Sequence, residues 1–289
     1  MTELTSTAPL PGVEVRPGSG HYAVFDHGAH VWAWQPDGHP HPVLWVSSAS
    51  AFSDGKAIRG GIPLCFPWFG PGLSRDKKPA HGFVRTVSWR RGQVRDRAAA
   101  GGALEVELAI DPSITGEQPE FPHDYLATLT VRFAPDHLEV TLRAENTGQD
   151  AFTIEEALHT YLAVSDVRLV SVNGLDGAAY LDKVADDTGF DNVQSGPLAI
   201  TGPTDRVFVH DGEVTLDDPG YGRRLSLTSS GAANVVVWNP WSDGAAAIAD
   251  IGEGEWQQFL CIEAANVFDN AITLLPGDHW TITQRIQLD

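Results

Sequence analysis

His159 and Glu263 are the two residues of this 289-residue chain best suited to moving protons, and each stands in an apolar run. His159 lies in residues 152–164, FTIEEALHTYLAV. There Phe152, Ile154, Leu158 and Leu162 share one parity, and Glu155, Ala157, His159 and Tyr161 share the other. An extended strand therefore projects His159 from the more polar face, beside Tyr161. Imidazole can act as acid or base near neutrality, but a strand histidine is also commonly a buried residue with one partner. Glu263 closes the run WQQFLCIEAA at 256–265. A carboxylate beside Phe259, Leu260, Cys261 and Ile262 is costly unless it is paired or faces a wet cleft. Two readings stand: a structural ion pair, or a carboxylate whose pKa is set by its surroundings for use as a base.

Other positions could hold a polar ligand. In KAIRGGIPLCFPWFG, residues 56–70, the Gly60-Gly61 pair permits close backbone approach and the prolines stiffen the loop. Arg59, just before that pair, has the planar fork that suits an anion. The segment is neither a Walker A loop nor a dinucleotide fingerprint. Trp68 and Phe69 read either as core or as an aromatic wall for a sugar ring. In AHGFVR, residues 80–85, a His81-Gly82 turn followed by a strand brings an imidazole and the Arg85 guanidinium to one cleft. In YLDK, residues 180–183, Asp182 either accepts hydroxyl hydrogen bonds or pairs with Lys183. The WNPW stretch at 238–241 reads as a structural strand end and turn.

These side chains need a scaffold, and the scaffold signal is strand. Residues 125–133 alternate Tyr125, Ala127, Leu129, Val131 and Phe133 with Leu126, Thr128, Thr130 and Arg132. After an Ala134-Pro135-Asp136 turn, Leu138, Val140, Leu142 and Ala144 alternate with Glu139, Thr141, Arg143 and Glu145, which predicts an antiparallel hairpin with one buried face. Further strands are expected at 30–36, 43–47, 84–91, 103–110, 152–163, 206–210, 224–228, 234–239, 256–263 and 279–288. Residues 60–80 read as an ordered loop and 95–103 as a surface hairpin loop. No long segment has a capped 3.6-residue period. Strands without intervening helices predict an all-β fold, a sandwich or barrel. The 42% hydrophobic content suits one large folded unit across 1–289, with a loosely ordered extension over 1–11.

The charge balance excludes several partners. With 38 acidic and 19 basic residues the formal net charge is −19, a surface that repels nucleic acid and anionic lipid. An anionic ligand must then be held by a local Arg or Lys cluster. Cys65 and Cys261 are read as buried reduced thiols. With no signal peptide and no uncharged apolar stretch of membrane-spanning length, a cytoplasmic protein is expected.

Taken in order, RGGIPLCFPWFG (59–70), HGFVR (81–85), EEALHTYLAV (155–164), the Gly174-Leu175 to Lys183 segment, VVVWNPW (235–241) and FLCIEAANV (259–267) resemble the aldose 1-epimerase superfamily, and most closely its glucose-6-phosphate 1-epimerase branch. The blocks span most of the chain. The resemblance implies a large antiparallel β-sandwich of the galactose mutarotase-like type, with an open sugar groove and neither metal nor cofactor. It implies His159 as general acid and Glu263 as general base, with Arg59, Arg85 and Asp182 at substrate-binding positions, the arginines suited to phosphate. His81 matches a second histidine near the sugar. Ala80 replaces the Gln common in relatives, and Ser242 and Asp243 stand where relatives often carry Lys. The expected reaction is interconversion of the α and β anomers of a hexose 6-phosphate, in a monomer or weak homodimer whose partner is that small sugar phosphate. His159 is expected to be held partly protonated by Glu155, Glu156 or Glu263, with the catalytic pair facing each other across the sugar. The competing readings are a mutarotase for a free aldose, a non-catalytic carbohydrate-binding sandwich, and a purely structural His159–Glu263 pair.

Overall fold

Tyr125–Phe133 and His137–Asn146 form the expected hairpin, paired from Tyr125 opposite Asn146 to Phe133 opposite Leu138, in a computed structural model that describes residues 10–289. This hairpin sits in a 9-stranded sheet with Leu104–Ile110 and Arg90–Asp96 on one side and His279–Leu288 and Arg223–Ser230 on the other. An 8-stranded sheet lies against it. Its central strand, Phe259–Asn266, pairs with Asn234–Asn239 on one side and with Glu156–Leu158 and Tyr161–Ala163 on the other. The ladders of both sheets are antiparallel, and only short helices accompany them among the described residues. The fold is an all-β sandwich.

The core between the sheets follows the alternation. Leu129, Val131, Leu142, Ile282 and Ile286 from one sheet meet Leu158, Leu162, Leu260, Ile262 and Val237 from the other. Burying a side chain of this size contributes about 1.5–3 kcal/mol each. Both cysteines are buried and free. None of the described helices is long and apolar enough to cross a membrane.

Several expected strands differ in ways that matter for the site. Residues 84–91 are not one strand: Val84–Thr86 is a 3-10 turn, and the strand starts at Arg90. The chain turns there because Gly82 passes so close to Phe66 that a Cβ would lie 1.8 Å from the Phe66 carbonyl oxygen. Residues 256–263 shift likewise, with Glu255–Gln258 forming a 3-10 turn and Phe259–Asn266 the strand. Residues 152–163 break into Phe152–Ile154, Glu156–Leu158 and Tyr161–Ala163. Residues 43–47 make only isolated bridges, Leu44 to Leu162 and Val46 to Gly60. The loop 60–80 contributes Leu64–Cys65 as the strand beside Glu156–Leu158. Of the extension expected over 1–11, residues 1–9 lie outside the described residues, and Leu10 is buried with Phe25 and Ile58.

Glu156 faces the core and is fully buried, its Oε1 accepting from Asn266 Nδ2 at 3.1 Å and its Oε2 without a partner. Burial pushes its carboxyl up to about 8. An unfolded Glu releases its proton near 4.5, so between these values unfolding releases a proton. Stability then falls as pH rises, by about 1.4 kcal/mol per unit at the steepest. Glu156→Gln should match wild type in thermal midpoint at pH 4 and exceed it at pH 8.5, by about 2–4 °C for each kcal/mol recovered. Parallel pH profiles for the two proteins would refute this.

Candidate active site

Strand register decides which side chains share a face, because antiparallel partners project to the same side. Glu263 pairs with Val236, and Cys261 with both Trp238 and Tyr161. Val236 pairs with Val207, Trp238 with Asp205, and Val207 with Leu181. These residues therefore line one face of the 8-stranded sheet, the face turned away from the core. His159 joins them from the break between Glu156–Leu158 and Tyr161–Ala163, its amide donating to the Pro63 carbonyl over 3.0 Å. Its ring stacks on Tyr161 with centroids 4.8 Å apart and meets Trp238 edge-on at 5.8 Å. Trp238, expected to be structural, is a wall of the site.

The break is stabilised from behind. Gln284, on the opposite sheet, donates to the Ile262 carbonyl over 3.0 Å and accepts from the Thr160 hydroxyl. It thereby ties together the residues next to His159 and Glu263. Sequence reasoning passed over Gln284, although a Gln in register with Ile282 and Ile286 is a polar residue at a core position, which is the signal that reveals it. Gln284→Leu should cost about 1–3 kcal/mol for each buried group left unpaired, read as a lowered thermal midpoint, and should lower kcat more than it raises KM. Unchanged kcat in a folded variant would limit Gln284 to a structural role.

His159 and Glu263 do not face each other across a trough. They touch, with Nδ1 and Oε1 3.2 Å apart and the two side chains only 9% and 1% exposed. His159 Nδ1 and Glu263 Oε2 are buried without a hydrogen-bond partner. The surroundings also work against the expected partial protonation of His159. Burial first, with the positive fields of Arg59 and Arg85 added, holds its imidazole well below the ordinary value. Burial, then Asp205, hold the Glu263 carboxyl well above the carboxylate range, against the opposing pull of Lys183 and Arg85. Both shifts favour a neutral pair with one proton, on Glu263. Glu155 is engaged elsewhere, accepting from the Phe69 and Phe268 amides at 3.2 and 3.0 Å.

The basic residues divide by partner. Arg59 Nε lies 3.1 Å from Asp250 Oδ1, and its Nη1 donates to the Tyr161 hydroxyl over 2.9 Å. The Gly60-Gly61 pair behind it is required: a Cβ on either would lie 2.4 or 2.3 Å from the Trp45 or Val31 carbonyl oxygen. Lys183 pairs with Asp205 at 2.8 Å and overhangs the Phe69 ring at 5.3 Å. Arg85 has no carboxylate partner among the described residues. Its Nη2 donates to the Ala80 carbonyl over 2.9 Å, and its Nε is buried without a partner. His81, at a left-handed φ of 66°, packs edge-on against Phe69 at 4.8 Å and against His159 at 5.8 Å. Trp68 belongs to the core and Phe69 to the site.

Asp182 is the one expected site residue that the fold directs elsewhere. It pairs with Arg206, Nε to Oδ2 3.1 Å, and register sets that pair on the opposite face of the sheet from Asp205 and Leu181. The acid on the site face is Asp205, three residues past Gly202 in a segment whose alternation gave no clue to which parity faced the ligand.

Two clefts differ in meaning. The larger, about 610 Å³, is lined by residues such as Leu169, Asp217, Arg223 and Arg224 and carries no imidazole; its buried acid, Asp218, already accepts from the Ser165 and Tyr221 amides. The other, about 280 Å³, is lined by Phe69, Gly70, Lys183 and Phe268 among others, which are neighbours of His81 and of the face that carries Glu263. Among the described residues, one His, Cys and carboxylate group is compact enough for a metal ion: the ligand atoms of His159, Cys261 and Glu263 lie within 4.8 Å of one another. Burial, and then Glu263, hold the Cys261 thiol well above its ordinary range.

The chain matches the family model described as aldose 1-epimerase over residues 13–287. A protein of Escherichia coli (strain K12) named "Putative glucose-6-phosphate 1-epimerase" is 35% identical over 243 residues, covering 82% of this chain and 77% of that protein. A protein of the same name from Cenchrus ciliaris is 32% identical over 263 residues, covering 89% and 78%. Among solved structures, the crystal structure of a "putative mutarotase" from Salmonella typhimurium has a TM-score of 0.84 at 23% identity, covering 100% of this chain and 96% of that one. This last likeness bears on the fold alone.

Proposed function

The chain belongs to the aldose 1-epimerase family, and from that membership we propose that it interconverts the α and β anomers of a hexose 6-phosphate. The observation that carries the chemistry is the contact between His159 and Glu263, a buried pair with unpartnered polar atoms. A purely structural pair would have those atoms satisfied.

Ring opening takes the proton of the anomeric hydroxyl and gives one to the ring oxygen. Both oxygens are bonded to the same carbon, C1. An acid and a base that serve them together must therefore be neighbours, which is what a 3.2 Å contact provides. Glu263 takes the anomeric proton, the C1–ring-oxygen bond breaks, and His159 protonates the departing oxygen. Rotation about C1–C2 presents the other face of the aldehyde, and the same steps in reverse close the ring. No proton is consumed.

These roles require the shared proton on His159, whereas burial favours it on Glu263. The substrate supplies the bias. Arg59 is among the charges that hold the His159 imidazole down. A phosphate dianion beside Arg59 cancels that field and moves the proton toward the imidazole. Arg85, a cation without a carboxylate partner, is the stronger anchor for the phosphate. Asp205 and Lys183 supply polar contacts in place of Asp182.

The test is a comparison of anomer exchange for glucose 6-phosphate, glucose and galactose. The proposal expects the phosphorylated sugar to have the lower KM and also the higher kcat. Equal constants for glucose 6-phosphate and glucose would rule out the phosphate assignment.

A further inference from the structure

Two contacts fix where the proton of His81 sits. The Gly70 amide, which can only donate, points at Nδ1 over 3.2 Å. The Cys65 sulfur lies 3.3 Å from the same nitrogen. A ring nitrogen that accepts a hydrogen bond carries no proton, so the hydrogen of the neutral ring is on Nε2. The ring is neutral: burial, then the charges of Arg85, Lys183 and Arg59, hold it well below the ordinary value. Cys65 is a thiol and not a thiolate, because burial pushes it far above its ordinary range. It therefore donates its S–H weakly to the same lone pair. Nε2 itself has no partner among the described residues and is not enclosed, unlike Nδ1 of His159. The two rings stand 5.8 Å apart, centroid to centroid.

We propose that the Gly70 amide and the Cys65 thiol hold His81 as its Nε2–H tautomer, and that this neutral N–H donates to the carbonyl oxygen created when the hemiacetal opens. This rests on the mutarotase reading and names a further residue acting on the same reacting group. His81 exchanges no proton: the anomeric proton goes to Glu263, the ring oxygen takes its proton from His159, and the C1 carbonyl forms facing the His81 N–H. A neutral donor suits the task, since an imidazolium beside His159 would oppose protonation of its neighbour. Cys65 is a positioning residue. It acts on substrate only through His81.

Long-range nitrogen–proton correlation NMR of the intact protein reads the tautomer directly, with an unprotonated Nδ1 and a protonated Nε2 expected for His81. His81→Gln carries an amide N–H where Nε2–H stood, whereas His81→Asn places its polar atoms at the Nδ1 end only. For glucose 6-phosphate, His81→Gln should retain kcat within about tenfold of wild type, and His81→Asn should fall by about a further hundredfold. Cys65→Ser should keep both tautomer and rate. Cys65→Ala leaves the Gly70 amide alone to hold Nδ1 unprotonated, so the Nε2–H form should persist while a less firmly held ring lowers kcat with little change in KM. A protonated Nδ1 in an active wild-type enzyme overturns the proposal, as do equal rates for the Gln and Asn variants. Absence of any exchange in wild type would instead sink the mutarotase reading, while the NMR signature still decides the tautomer.

Discussion

Glu263→Gln is expected to lower the rate of anomer exchange by about a hundred- to ten-thousandfold while leaving the fold intact, the usual range for loss of one general acid or base. The substitution is nearly isosteric and removes only the capacity to exchange a proton. Because burial already favours a neutral Glu263, replacing it with a neutral amide deletes no buried charge. The variant should therefore melt at or above the wild-type temperature, and its loss of activity cannot be ascribed to unfolding. His159→Gln should fall in the same range. The double variant should be little worse than either single one, because the two residues handle one proton as a unit. Additive losses would mean that the two act in separate steps. The pair also predicts the pH profile: kcat/KM should be flat through neutrality, falling on the acid side as His159 takes a second proton and on the alkaline side as Glu263 loses its own. A bell centred on the ordinary carboxylate and imidazole values would contradict the shared-proton account.

Arg85→Met is expected to raise KM for glucose 6-phosphate by about 10- to 100-fold, the range of a charge-assisted hydrogen bond worth 1.5–3 kcal/mol, and to leave KM for glucose within about twofold. Arg59→Ala should also weaken the phosphorylated sugar, but less, because Asp250 already pairs with Arg59. Its distinguishing effect should be on kcat, since Arg59 biases the shared proton. If the free and phosphorylated sugars respond equally to Arg85→Met, the guanidinium contacts the ring and not the phosphate. If Arg59→Ala has the larger KM effect, the ion pair with Asp250 opens on binding and the ranking of anchors is reversed.

The sandwich was legible because its cause is local. The alternation in 125–133 and 138–145 needs only a period of two and one buried face, and the structure follows it residue for residue. His159 and Glu263 stood out for a related reason: each is a titratable group in an apolar strand, a costly placement, and the family resemblance is what implied their roles. What escaped was whatever depends on which strands become neighbours. Asp182 and Asp205 are both acids in short strands, and only the pairing of Leu181 with Val207 and Val207 with Val236 reveals that Asp205 shares the face of Glu263. The contact between His159 and Glu263 follows from the break at 159–160, which Gln284 supports from the other sheet. The run FTIEEALHTYLAV reads as one strand because nothing within it announces that break. The field at His159, likewise, comes from Arg59 and Arg85, residues 74 or more positions away in sequence.

Exchange spectroscopy on an equilibrium mixture of glucose 6-phosphate anomers is the most direct measurement of what the pair does. Wild-type enzyme at catalytic concentration should transfer magnetisation between the α and β anomeric protons, at a rate proportional to enzyme concentration and abolished by Glu263→Gln. Exchange that stays at the buffer rate with wild-type protein, or that persists undiminished in Glu263→Gln, would contradict the account.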